Sequence, residues 1–183
     1  MSPRRALAGL AVTALAGCLL AAAALAAGEY KGNARAIALT PREAGYKALM
    51  QSVPASRPAA DKRQGYRSGW QATYLKGTVA RPLQALALVY VYRTPADALR
   101  AWNRSCGPCP QGVVTQGVRM KYQLRTSGGE RTLINVAQCR NVYVALVLSG
   151  KQQGPELARE AGALVGGVYR KAAARGMATC EAG

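Results

Sequence analysis

Cys106 and Cys109, held in Cys106-Gly-Pro-Cys109, are the residues of this sequence best spaced for chemistry. Two thiols separated by two residues can perform thiol–disulfide exchange: one attacks as thiolate, the other resolves the mixed disulfide. That chemistry needs the attacking cysteine at a helix amino terminus, where the macrodipole lowers its pKa. The flanking residues put the helix on the other side. Thr94-Pro95-Ala96-Asp97 supplies an N-cap, a first-turn proline and an acid. Leu99, Trp102 and Cys106 follow at helical spacing, and Gly107-Pro108 ends the run. Pro110-Gln-Gly and a strand pattern come after Cys109. The order is wrong for catalysis, so the sequence favours a non-enzyme. Cys106 and Cys109 as an oxidoreductase pair is the alternative.

Cys139 and Cys180 complete the cysteines that follow the leader. Four cysteines in an exported chain point to two disulfides with three connectivities. A bond from Cys106 or Cys109 to Cys139 would pin the helix to the following strands, a closure worth roughly 3–4 kcal/mol. No metal site is expected, because one Cys-x-x-Cys with distant partners and no histidine lacks zinc-binding spacing. The absence of histidine also removes Ser-His-Asp and Cys-His catalysis. Glu43 and Asp97 read as helix caps, and no glycine-rich phosphate loop stands out, so no cofactor is expected.

The elements that must position these residues read as α-β-β-α-β-β-β-α. Thr40-Pro41-Arg42-Glu43 opens a helix with a stripe of Tyr46, Leu49, Met50 and Val53, closed by Pro54. Tyr66–Leu75 alternates as a half-buried strand, and Leu83–Tyr92, apolar on both alternations, reads as a central one. Val118, Met120, Tyr122 and Leu124 alternate with Arg119, Lys121, Gln123 and Arg125. Ser127-Gly-Gly and Arg140-Asn141 turn the chain into two further strands, and Gly154-Pro155 opens a closing helix. Short connections favour antiparallel neighbours. The fold class is α+β: an antiparallel sheet of about five strands packed by helices, forming one domain over residues 40–183.

Aromatic and basic residues interleave near Lys62–Lys76. Tyr66, Trp70 and Tyr74 share one parity, which suits a sheet face turned to the core. Were that face open, Tyr66, Trp70 and Tyr74 would form a binding groove bordered by Arg67 and Lys76.

Residues 1–27 read as a targeting segment, with Arg4-Arg5 before an uncharged apolar run, Ala6–Ala27. Leu15-Ala-Gly-Cys18 resembles the lipobox of bacterial lipoproteins, which implies lipidation at Cys18. Ala24-Leu-Ala offers an ordinary cleavage site, and about 22 apolar residues can also span a bilayer uncleaved. Each route places the domain outside the cytoplasm, membrane-anchored or secreted, with residues 28–39 as a tether. The net charge of +17, from 25 Lys and Arg against 8 Asp and Glu, favours an anionic envelope component as partner. Nucleic acid is disfavoured in an exported chain without a basic block.

Two resemblances complete the reading. Trp102 with Cys106-Gly-Pro-Cys109 resembles the thioredoxin active site, but no hydrophobic-Pro-Thr segment follows to form that family's cis-proline loop. Leu83 to about Ala172 resembles the extracytoplasmic sensor domains of actinobacterial serine/threonine kinases and related small lipoproteins. Ala98, Trp102 and Cys106 on a helix, Cys139-Arg-Asn-Val-Tyr-Val144 entering a strand, and the helix from Leu157 carry the likeness. It implies a disulfide-tied antiparallel sheet with a cleft for a small ligand of unknown identity. The chain departs from it in its Cys-x-x-Cys and its lack of a kinase. The expected function is therefore a non-enzymatic, sensor-like or ligand-binding envelope protein. A basic module adhering to anionic lipid or wall polymer is a further alternative.

Overall fold

The structure, a computed structural model, describes residues 28–55, 64–105, 113–115 and 117–180. Seven strands form one sheet: β1 (Ala48–Pro54), β2 (Tyr66–Gly77), β3 (Pro82–Tyr92), β4 (Val113–Thr115), β5 (Val118–Ser127), β6 (Glu130–Cys139) and β7 (Val142–Gly150). Their order is β1-β2-β3-β7-β6-β5-β4, and every adjacent pair is antiparallel. The class is α+β as expected. Six longer strands and the three-residue β4 make up the sheet, in rough agreement with the about five strands expected.

The two strands apolar on both alternations, β3 and β7, lie side by side inside the sheet, because helices cover both faces there. Among the described residues the helices are α1 (Ala34–Ile37), α2 (Pro41–Ala44), α3 (Pro95–Arg104) and α4 (Gly154–Ala173). The larger core joins α1 and α4 to Leu83, Ala85, Ala87, Val89 and Val91 of β3. The smaller joins Ala98, Ala101 and Trp102 of α3 to Tyr90 and Tyr92 on the opposite face.

The helix expected from Thr40 to Val53 is one turn long. Its start is as anticipated: the Glu43 N–H donates to Thr40 Oγ1 (3.3 Å) and the Thr40 N–H to Glu43 Oε2 (2.7 Å). Gly45 then takes a left-handed conformation, φ 73°, and ends it. Tyr46 alone of the expected stripe is buried; Leu49 and Met50 are exposed on the edge strand β1. Residues 28–39, read as a tether, contribute Tyr30, Ala34, Ile37 and Leu39 to the larger core. Asn141, fully buried, fastens them. The Tyr30 N–H donates to Asn141 Oδ1 (2.7 Å), and Asn141 Nδ2 donates to the carbonyls of Tyr30 (2.9 Å) and Tyr92 (2.8 Å).

Candidate functional site

Between α4 and the sheet lies a narrow apolar crevice with room for about one water-sized group. Its walls come from β2, β3 and β7, from Leu164 and Val168 of α4, and from Ala38 and Leu39. Ala72 of β2 stands opposite Ala87 of β3, and Ala87 opposite Leu146 of β7. Two alanines side by side in a row of large apolar residues leave the space that α4 bridges. Trp70 and Tyr74 form one wall, and each has its polar atom engaged. Trp70 Nε1 donates to Ser52 Oγ (2.8 Å), and the Tyr74 hydroxyl donates to the Leu39 carbonyl (2.6 Å). The site thus offers carbon surface and no free polar group.

Of the residues expected on an aromatic face, the structure brings Trp70 and Tyr74 together here. Tyr66 is on the opposite face, because the β2–β3 register shifts between Tyr66 and Ser68. Its ring packs near Tyr90 and Tyr92, and its hydroxyl donates to the Ala55 carbonyl (2.6 Å). Arg67 reaches the lead-in segment, donating to the Lys31 carbonyl (3.0 Å). Lys76 pairs with Glu160 (2.6 Å) and lies 4.6 Å from the centre of the Tyr46 ring. The Arg35 guanidinium stands 5.0 Å over the Trp70 ring at the edge of the crevice. The sequence reading missed Ala38, Leu39, Ala72 and Ala87 as lining residues; the only signal was small side chains among large ones.

Charge frames the site from the α2 side. Lys171 donates to the Ala38 carbonyl (2.8 Å) and pairs with Glu43 (2.7 Å). That Lys171 bond, with the Thr40 amide, holds the Glu43 carboxyl down to about 2. Burial pushes the Tyr74 phenol up to about 12, with Glu43 adding to the rise. Burial, and then Glu160, push Tyr46 far above the ordinary phenol range.

Cys139 pairs with Cys180, their Cα atoms 5.8 Å apart. Of the three connectivities, this bond leaves out those that bridge Cys106 or Cys109 to Cys139. The physical reason is proximity: α4 runs back along the sheet, and beyond it Met177 enters the core while the Ala178 N–H donates to the Gly28 carbonyl (3.1 Å). Cys180 is thereby brought to the end of β6. Cys18, Cys106 and Cys109 lie outside the described residues, as do Lys62 and the leader.

The chain is similar to the extracellular domain of PknH from Mycobacterium tuberculosis. The two share 12% identity at a TM-score of 0.48, covering 74% of this chain and 94% of that one. No family model matches the sequence, and no curated protein does.

Proposed function

We propose that this chain is an exported, non-enzymatic binding domain of the cell envelope, sensor-like in using its site for occupancy and not turnover. The observation that carries the reading is the crevice of carbon surface in which both polar wall atoms are already bonded. Such a site selects a small apolar group, for instance the end of an alkyl chain, and supplies no nucleophile or base. The basic, apolar leader and a disulfide between Cys139 and Cys180 support a place outside the cytoplasm.

The test is a titration of the full chain with cis-parinaric acid, a fluorescent fatty chain. Saturable binding, weakened at least tenfold by Ala87→Val, is expected. Binding that is absent, or that Ala87→Val leaves unchanged, sinks the reading.

The Cys139–Cys180 bond also bears on the oxidoreductase alternative. It withdraws the partners a stapling bridge would need, leaving Cys106 and Cys109 with each other among the connectivities. Reduction of insulin disulfides by the full chain, lost in Cys106→Ser, would favour that alternative over binding.

A further inference from the structure

We propose that the end of the sheet where the leader joins the domain is its membrane-facing surface, held against anionic phospholipid head groups. The inference rests on the reading of the chain as a leader-tethered envelope domain.

Three connections meet at this end. Gly28 bonds to Ala178, Tyr30 bonds to Asn141 in the β6–β7 turn, and Cys139 is linked to Cys180. Gly28 follows directly on the apolar run Ala6–Ala27, so no polar spacer separates the domain from the leader. Even with lipid on Cys18, a chain of the length of residues 19–27 spans at most about 30 Å. The domain must then rest on the surface by this end.

The charges fit that placement. Arg67 near the start of β2, Arg93 after β3, Arg119 near the start of β5 and Arg140 in the β6–β7 turn all lie toward this end of the sheet. Arg175 joins them beyond α4. Arg67, Arg93, Arg119 and Arg175 are exposed. No carboxylate among the described residues pairs with any of the five. Among the described residues, the acids near this end are engaged: Glu29 with Lys31 (2.8 Å), and Asp97 with Arg100 and the α3 cap. Glu130, Glu156 and Glu160 belong to the opposite end, with the β5–β6 turn and the start of α4. Arg67 and Arg175 each donate to one backbone carbonyl, of Lys31 (3.0 Å) and Lys171 (3.4 Å); guanidinium groups with no carboxylate partner can grip phosphate in two-pronged fashion and gain near an anionic surface. A wall polyanion would meet the same charges, but the point of leader attachment favours the bilayer.

The experiment places the full chain in nanodiscs of phosphatidylcholine, with and without phosphatidylglycerol, and follows amide hydrogen exchange. Amides at Lys31, Arg67 and Arg93 are expected to slow at least threefold with the anionic lipid, while the Thr78–Arg81 and Ser127–Glu130 turns do not change. The double variant Arg93→Glu/Arg119→Glu should erase the difference; Arg81→Glu should retain it. Equal exchange at both ends in both discs, or protection that follows added teichoic acid and not lipid, overturns the proposal and leaves the binding reading standing. Recovery of the chain free of the discs overturns the tethered reading as well.

Discussion

Asn141 joins the segment before α1 to the sheet through three hydrogen bonds at a site without solvent. Removing its amide would strand the Tyr30 N–H and two carbonyls in the interior, where each unsatisfied group costs about 1–3 kcal/mol. Asn141→Ala is expected to destabilise the domain by about 3 kcal/mol, measured by urea unfolding. Replacing Cys139 and Cys180 together by serine should cost about 4 kcal/mol, given a sequence separation of 41 residues. Comparing urea midpoints of the oxidised protein and that variant would check it. Glu43 and Tyr74 give the pH response. The Glu43 carboxyl, about 2 when folded, contributes stability above the unfolded range near 4.5 that is lost as pH falls toward 2. The Tyr74 phenol, about 12 when folded, contributes stability below pH 10 that is lost as pH rises toward 12. Melting temperature measured against pH should fall at both ends, and Glu43→Gln should flatten the acid limb.

Strand β5 was legible because its apolar residues alternate, β3 and β7 because they are apolar on both faces, and helices α3 and α4 because their apolar residues recur with helical period. β1 was not. Tyr46, Leu49, Met50 and Val53 fall at helical spacing, yet Leu49 and Met50 sit on an exposed edge, so their pattern was not imposed by burial. Gly45, which ends α2, outweighed that periodicity. Half of the aromatic face was readable: Trp70 and Tyr74 share a side, but one irregular step at Arg67 sends Tyr66 to the other. A bulge leaves no mark in alternation. The crevice was invisible as such, since it depends on Ala72 meeting Ala87 across strands. Added volume in a filled core costs about 1–3 kcal/mol. Ala72→Val and Ala87→Val are expected to cost about 1–3 kcal/mol each, because the crevice is too narrow to take the added methyl groups without shifts; thermal melts would check this.

Across the whole molecule, the junction of Gly28, Asn141 and Cys180 fixes how the domain would bear tension. The Cys139–Cys180 link closes a covalent ring that includes β7 and α4, so pulling cannot lengthen that part of the chain. The segment from Gly28 to Leu39 lies outside the ring and is fastened by separate bonds to Ala178, Asn141 and Ser68. Drawn from residue 28, those bonds load one after another and peel, while the strand ladders of the sheet stay unloaded. Ala38 and Leu39 leave with that segment, and they form one wall of the crevice. A pull at residue 28 would therefore take away one wall of the crevice before the sheet unravels.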